Sequence, residues 1–264
     1  MWRGRPGAAG SPRSRILNAC NRRLNGRRVR TAAVMVQDAR MNLGTIDYLD
    51  ARGHSRGRER FAVGVDAGGQ RTLQVWCEID GTRLVRHVVQ TVDRDFRPLE
   101  AAVRVSKDGR AQASGWLRFT PGGVELHACD AAGTLRRRSI ALERPARAFG
   151  THPLCVDGWM GALFALDGPP VQRLTDAFVS SYEFDGSGTV DLLPIAFDLE
   201  YLGREWLEVR AGRFECDHFR YRLDGSAIEH PPYETWVTTD GEFTLVRALA
   251  GAPLDYRYEL TNWQ

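Results

Sequence analysis

The stretch that decides the fold is "RTLQVWCEIDGTRLVRHVVQTV", residues 71–92. In its first half Leu73, Val75 and Cys77 alternate with other residues, and a second apolar-rich run follows the turn residues "DGTR". Alternation with a period of two is typical of a β-strand with one buried face, and a short turn with Asp-Gly between two such runs is typical of a hairpin. This stretch therefore predicts two adjacent antiparallel strands.

The same rhythm of strand and short turn continues beyond this hairpin. Four further segments follow it: "RPLEAAVRVS", "AQASGWLRFT", "VELHACD" and "LRRRSIALE". Strand-like segments resume near residue 188 and continue to the C-terminus. Because a sheet of about ten strands curls or closes rather than staying flat, we predict an all-β chain with one or two inserted helices. Its curved antiparallel meander is expected to form a half-barrel or open barrel.

One stretch, "AFGTHPLCVDGWMGALFALDGPP" at residues 148–170, interrupts the alternation. Asp157 is a candidate N-cap for a helix that Pro169 and Pro170 end, because proline cannot continue a helix. A second short helix is predicted at "VQRLTDAFVS", residues 171–180. The interruption is therefore expected to be a helical crossing, near residues 157–180, between two meanders.

Composition and cysteine content narrow the class of protein. Of the 264 residues, 43% are apolar and 26% are charged, which is the composition of an ordinary globular protein. No apolar run approaches the ~20 residues that cross a bilayer, so we expect no membrane span. The five cysteines include no Cys-x-x-Cys pair. Reduced thiols in a cytoplasm are the simplest interpretation of that pattern.

Charge is distributed unevenly along the chain. Residues 1–37 contain nine arginines and no Asp or Glu; without them the net charge of +3 becomes −6, from 27 basic and 33 acidic residues. An acidic body argues against a nucleic-acid partner. We interpret residues 1–40 as a disordered tail or as translation from a misassigned start, with a transit peptide as the alternative. Residues 41–264 are expected to form a single domain.

Aromatic and polar side chains occupy one face of the first meander. Trp76, Arg104, Trp116 and Arg118 fall at positions that alternate with small apolar residues. Such a face is either the solvated outside of the sheet or the lining of a ligand cavity. If it lines a cavity, these four side chains and Trp159 of the crossing are the candidate ligand-binding residues.

The crossing also supplies candidate catalytic residues. His152 could act as a general base with Asp157 orienting it, and His127 is a further candidate proton carrier. The structural alternative is that His152 hydrogen-bonds a crossing loop and that Asp157 only caps a helix. The spacing of the residues does not decide between the two.

Metal and cofactor motifs are weak in this sequence. His127 with Cys129, and Cys216 with His218, could form a Cys2His2 site if their strands adjoin. Cysteine in a strand is more often a small core residue, so we predict no metal. The sequence contains no dinucleotide or phosphate-loop fingerprint, and no cofactor is predicted.

The last 60 residues or so contain a pattern that extends beyond simple alternation. A V-x-A-G-x-F-x-C-x-x-F segment is followed by a Trp-containing strand, a Gly turn before "LVR", and a terminal Y-x-L-T. The residues that carry the pattern are Val209, Ala211, Gly212, Phe214, Cys216, Phe219, Trp236, Gly241, Val246, Arg247, Tyr258, Leu260 and Thr261. The pattern resembles a group of uncharacterised bacterial families that are similar in fold to lipoprotein-localisation factors. This resemblance implies a curved antiparallel half-barrel that wraps helices on its concave side and encloses a hydrophobic cavity.

Two functions remain open from the sequence. The first is binding of a small hydrophobic or aromatic molecule in the cavity, without chemistry. The second is an enzyme of the lyase, hydratase or isomerase type, which would act on such a molecule through His152, Asp157 and His127. Only the second requires ionisable groups to converge inside the cavity.

Overall fold

The computed structural model describes residues 40–223 and 231–264, and all fifteen strands of this part of the chain belong to one sheet. The strand order is β8-β7-β6-β5-β4-β3-β2-β1-β15-β14-β13-β12-β11-β10-β9. Neighbouring strands are antiparallel except for β9 and β10. The predicted all-β antiparallel fold is therefore confirmed. The predicted tail, residues 1–40, lies outside the described residues apart from Arg40, where β1 begins.

The first eight strands form a continuous meander. They are β1 (Arg40–Leu49), β2 (Ser55–Val65), β3 (Arg71–Ile79), β4 (Leu84–Val92), β5 (Pro98–Lys107), β6 (Arg110–Thr120), β7 (Gly123–Asp130) and β8 (Leu135–Ala141). The second group is β9 (Ala148–Gly150), β10 (Val171–Val179), β11 (Leu193–Val209), β12 (Gly212–Arg222), β13 (Tyr233–Thr238), β14 (Leu245–Ala250) and β15 (Tyr256–Trp263). Strand β1 pairs with β15, so the first and last strands join the two groups.

Alternating burial explains why these segments form strands. In β3 the side chains of Leu73, Val75 and Cys77 are buried, while Gln74 and Trp76 between them are exposed. Each fully buried aliphatic side chain contributes about 1.5–3 kcal/mol to folding. Because strands β1 to β7 all turn such residues to the same side, this part of the sheet has one apolar inner face and one outer face.

The connection between β10 and β11, residues 180–192, packs across this inner face. Val190 is buried against Gly115 of β6, where the Cβ of any larger residue would lie 2.5 Å from Val190 Cγ1. Asp191 then accepts hydrogen bonds from Arg136 (3.2 Å) and Arg138 (2.7 Å) of the edge strand β8. The connection thereby links the edge strand β8 to the opposite side of the open sheet, where β10 and β11 lie.

The crossing corrects the predicted helices. Helix α1 covers only Leu154–Gly158, and one stretch of 3-10 helix, Trp159–Leu163, follows it. Residues 171–179 form strand β10 rather than a second helix, because they pair with β9 on one side and with β11 on the other. Among the described residues, no helix combines the length and the apolar character needed to cross a bilayer.

Asp157 is not the N-cap of α1, as the sequence suggested. It is the fourth residue of the helix, and Pro153 occupies the cap position without a side-chain hydrogen bond. The first two amides of the helix, those of Leu154 and Cys155, donate instead to the carboxylate of Glu59 in β2, at 2.9 and 2.7 Å. A carboxylate from a distant strand thus satisfies donors that a local cap usually satisfies.

Candidate functional site

A cavity of about 400 Å³ lies between the crossing and the inner sides of β1, β9 to β13 and β15. Its apolar wall is built by aliphatic and phenylalanine side chains from both halves of the chain. They include Ile79, Leu154, Met160, Phe178, Ile195 and Phe197. The cavity is a consequence of sheet curvature, since the short α1 and the 3-10 helix fill only part of the concave side.

Tyrosines supply much of the remaining wall. Six of them line the cavity: Tyr48, Tyr182, Tyr221, Tyr233, Tyr256 and Tyr258. Two of these hydroxyls converge on one residue of α1. Tyr233 donates to Asp157 Oδ2 at 2.9 Å, and Tyr221 donates to the Asp157 main-chain oxygen at 2.9 Å. The carboxyl group of Asp157 is thereby held on the cavity wall by strands β12 and β13.

The environment of Asp157 favours its neutral form. Burial raises the pKa of this carboxyl from 3.8 to about 7, the Tyr233 hydrogen bond lowers it, and the negative charge of Glu59 raises it further. Within the described residues Asp157 makes no ion pair. A carboxyl group that changes charge near pH 7 can donate or accept a proton under ordinary conditions.

Glu59 is the buried support of this wall. It is fully buried, and its carboxylate accepts from the two α1 amides and from the Tyr48 hydroxyl at 2.9 Å, with the Cys77 thiol at 3.6 Å. Burial raises the pKa of Glu59, and the hydrogen bonds that it accepts lower it. Because Tyr48 lines the cavity and α1 carries Asp157, Glu59 positions both without touching the cavity itself.

His152 lies on the cavity wall in an unusual backbone conformation. Its φ of 74° falls in the left-handed region, which is costly for a residue with a side chain. Its Nε2 donates to the main-chain oxygen of Ser181 at 3.1 Å. The preceding Thr151 is fully buried. Its hydroxyl donates to Gln90 Oε1 at 2.6 Å, and its main-chain oxygen accepts from Arg86 at 2.8 Å. These contacts with β4 and the 180–192 connection hold His152 in place.

Charged residues surround the mouth of the cavity. Arg56 lies with its guanidinium carbon 3.6 Å from the centre of the Tyr256 ring, and Glu183 and Asp185 come from the 180–192 connection. Arg86 lies beneath that connection. Burial lowers its pKa to about 10, while Asp185 and Glu183 are among the negative groups that oppose this change. Its Nη2 has no hydrogen-bond partner within the described residues.

The structure brings together two of the three predicted catalytic residues. His152 and Asp157 both line the cavity. His127 lies on the outer face of β7, where its ring meets Trp116 edge-on at 5.5 Å between centroids. Since residues one position apart in a strand point to opposite faces, His127 cannot reach the cavity behind the sheet.

The predicted ligand-binding residues do not line the cavity. Trp76, Arg104, Trp116 and Arg118 lie on the outer face, because the inner positions of their strands are those of the buried aliphatic residues. Arg104, Trp116 and His127 border instead a shallow depression of about 480 Å³ on that face. Trp159 is buried in the core against Phe96, at 6.0 Å between ring centroids. The aromatic face of the first meander is therefore the outer side of the sheet, the first of the two alternatives, and the five candidate ligand-binding residues do not line the cavity.

The two His–Cys pairs are far apart in the sheet. His127 and Cys129 lie on β7, Cys216 and His218 lie on β12, and these strands are not neighbours. Cys216 is packed with Leu207 and Trp236 in a small apolar cluster. The condition for a Cys2His2 site is therefore not met. Nor do three or more His, Cys, Asp or Glu side chains gather in metal-binding geometry anywhere in the described ranges.

Sequence reasoning missed Glu59 and the tyrosines that surround Asp157. One signal was present for Glu59: in β2 it stands at an inward position between Gly57 and Phe61, where a carboxylate must be buried. Apart from Tyr182, the tyrosines of the cavity wall come from four strands, and no local pattern shows that they converge. Only the register of β12, β13 and β15 places Tyr221, Tyr233 and Tyr258 near α1.

Comparison with known proteins supports the fold. No protein-family model matches the chain, and no curated protein matches it. The structure is similar to that of a β-barrel-like protein of the domain of unknown function DUF1849 from Brucella abortus, with a TM-score of 0.52 and 10% identity over 85% of this chain and 97% of that chain. At this identity the likeness shows a β-barrel-like fold alone.

A second solved structure is also similar to the chain. It is a DUF1089 family protein from Pseudomonas aeruginosa, with a TM-score of 0.42 and 14% identity over 71% of this chain and 87% of that chain. Both of these solved structures are of bacterial proteins. The more specific likeness to lipoprotein-localisation factors stays a prediction.

Proposed function

We propose that this protein binds a small, largely apolar molecule in the cavity beside α1. The observation that supports the proposal is the cavity itself: about 400 Å³ of space with a wall of aliphatic and aromatic side chains. This volume lies within the range of about 300–1,000 Å³ that small-molecule sites occupy. A filled core would leave no such space, since protein interiors are close-packed.

The wall divides into an apolar part and a polar part. Residues such as Ile195, Phe178 and Phe197 offer no hydrogen bonds and favour an apolar body. Asp157 and Tyr233 place hydrogen-bonding groups at one side of the same space. The ligand that fits is therefore a molecule with an apolar body and a polar group.

Binding of an apolar dye to a cavity-filled variant tests the proposal. Ala177 lines the cavity and is buried, so Ala177→Phe places a ring in the space. Ala111 is exposed on β6, and Ala111→Phe is the matched control. We expect Nile red, an uncharged dye whose emission rises in apolar surroundings, to bind the wild type and the control alike. Ala177→Phe should weaken its binding by about tenfold or more, the effect of about 1.4 kcal/mol.

Two results would contradict the proposal. One is wild-type protein that does not raise Nile red emission at all. The other is equal affinity of Ala177→Phe and wild type, which would place the dye elsewhere, for example at the outer depression beside Trp116. Circular dichroism of each variant shows whether it has kept the β fold.

Acid–base catalysis in the same cavity is a second candidate function. The observation that favours it is Asp157, whose pKa of about 7 suits a proton carrier, on the same wall as His152. A lyase, hydratase or isomerase reaction would convert the bound molecule, whereas a binding protein would release it unchanged. Incubating the molecule recovered from native protein with fresh wild type and with Asp157→Asn separates the two. Conversion by the wild type alone supports catalysis, and recovery of the unchanged molecule from both contradicts it.

A further inference from the structure

We infer that the ligand of this cavity carries a protonated amine on its apolar body, bound by the carboxylate of Asp157 among the tyrosine rings. This inference rests on the proposed function, since it names the chemical class of the molecule that the cavity takes. It is drawn from the hydrogen bonds and charges around Asp157.

The carboxylate of Asp157 is incompletely satisfied by the protein. Oδ2 accepts from the Tyr233 hydroxyl at 2.9 Å. Oδ1 has no hydrogen-bond donor within the described residues, although a carboxylate can accept several. The side chain lines the cavity, so the open oxygen is accessible from the space that a ligand would fill. A donor from the ligand is what this position lacks.

The other acidic groups near the cavity already have compensation. Glu59 accepts from two amides and a tyrosine hydroxyl. Glu183 and Asp185 interact by charge with the buried guanidinium of Arg86. Among residues 40–223 and 231–264, Asp157 has neither a cation nor a set of amide donors, which leaves its negative charge for a ligand to neutralise. Buried charges are stable only when they are paired and hydrogen-bonded.

The walls next to Asp157 also suit a cation. The rings of Tyr221 and Tyr233 adjoin it through their hydroxyls, and these two rings lie 5.3 Å apart between centroids. Aromatic faces attract ammonium groups, and a carboxylate among such rings adds a charge-assisted hydrogen bond. Among the described residues, Arg56 is the one Arg or Lys on the lining, and its guanidinium lies over the Tyr256 ring. A carboxylate ligand would be attracted to Arg56 and repelled by Asp157.

The groups that set the charge of this site come from every element around it. They are Cys155 on α1, Tyr48 on β1, Arg56 and Glu59 on β2, Cys77 on β3, Arg86 on β4, His152 before α1, Glu183 and Asp185 in the 180–192 connection, Tyr221 on β12, Tyr233 on β13, and Tyr256 and Tyr258 on β15. Burial raises the pKa of Tyr221 and Tyr233 well above 10, so both hydroxyls stay neutral donors. Asp157, with its pKa of about 7, gains negative charge between pH 6 and pH 8, so preference for an amine should increase over this interval.

Three molecules of equal chain length test the inference: octylamine, octanol and octanoate, each displacing Nile red from the wild type at pH 8. We expect octylamine to bind about tenfold or more tighter than octanol, the usual scale of a charge-assisted hydrogen bond. In Asp157→Asn the ratio of the two Kd values should fall to within about twofold. Asp167→Asn, an exposed carboxylate outside the cavity, should keep the wild-type ratio.

Equal binding of octylamine and octanol to the wild type would overturn the inference, and so would tighter binding of octanoate. Neither result would affect the proposed function, because an apolar molecule would still occupy the cavity. Failure of all three to displace the dye would contradict the proposed function as well. The comparison in the wild type needs no variant, so it stays decisive even if Asp157→Asn does not fold.

Discussion

The carboxyl group of Asp157 should make the protein less stable as pH rises, and Asp157→Asn should remove that dependence. The folded-state pKa of about 7 lies above the ordinary value of 3.8, so the folded protein holds a proton that the unfolded chain has released. Between these two pH values unfolding therefore releases a proton. The free energy of unfolding then falls by about 1.4 kcal/mol for each pH unit. This contribution is fully retained below pH 3.8 and is lost by the time pH has risen through about 7.

The size of the effect follows from the same values. Over the whole interval from 3.8 to about 7 the loss corresponds to about 4 kcal/mol, and hydration through the cavity mouth reduces it. Asparagine keeps an oxygen that accepts from Tyr233 but carries no charge. We therefore expect Asp157→Asn to be about 1–2 kcal/mol more stable than the wild type at pH 5 and about 3–4 kcal/mol more stable at pH 8.

Urea-induced unfolding of both proteins at pH 5, 6, 7 and 8, followed by tryptophan fluorescence, measures this difference. Glu59 also has a raised pKa and interacts with Asp157 by charge, so the difference between the two proteins at each pH reports Asp157 together with this interaction. A stability difference that stays constant from pH 5 to pH 8 would refute the reasoning. It would show that Asp157 ionises freely in the folded protein.

Three further changes test other parts of the structure. Glu59→Gln replaces one acceptor oxygen with an NH2 group that faces helix amides or a hydroxyl. It should lower the free energy of unfolding by about 1–3 kcal/mol in urea titrations, and an unchanged value would contradict the cap that Glu59 provides. His152→Gly should be about 1 kcal/mol more stable than His152→Ala, because glycine adopts a positive φ without strain; equal stabilities would contradict the left-handed backbone at His152. Asp191→Asn removes the charge that pairs with Arg136 and Arg138. It should raise the hydrogen-exchange rate of β8 amides and leave that of β3 amides unchanged. Equal exchange rates of β8 amides in the variant and the wild type would show that the pairing does not hold the sheet edge.

The strands of the first meander could be predicted because burial alone dictates them. An alternating run such as Leu73, Val75 and Cys77 has one favourable conformation, since only a strand turns all three to the same side. Alternation does not show which side of a sheet is concave. For that reason the sequence left open whether the aromatic face around Trp76 and Trp116 lines a cavity. Only the direction in which the sheet curves shows that this face is the outer one.

The helical crossing was harder to predict because distant residues determine it. Residues 171–179 have too few turns for periodicity to separate a strand from a helix, and pairing with β9 and β11 decides the outcome. Likewise, α1 begins where the carboxylate of Glu59, about a hundred residues earlier, meets its first amides. A cap that comes from another strand leaves no local signature, so Asp157 was assigned to the cap position.

The candidate site was predictable in part. His152 and Asp157 were selected because the interruption between meanders was expected at the mouth of a cavity, and both residues do line the cavity. The tyrosines that bind Asp157 could not be found in this way. Tyr221 and Tyr233 look like ordinary strand residues until the β12–β13 register brings them to the same helix.

Native mass spectrometry shows whether the cavity beside α1 holds a small molecule. Wild type, Ala177→Phe and the control Ala111→Phe would be purified from the same host under mild conditions. We expect a bound small molecule on the wild type and on Ala111→Phe that is lost or strongly reduced on Ala177→Phe. Wild-type protein that carries no added mass and binds no apolar probe, or equal occupancy in all three proteins, would contradict it.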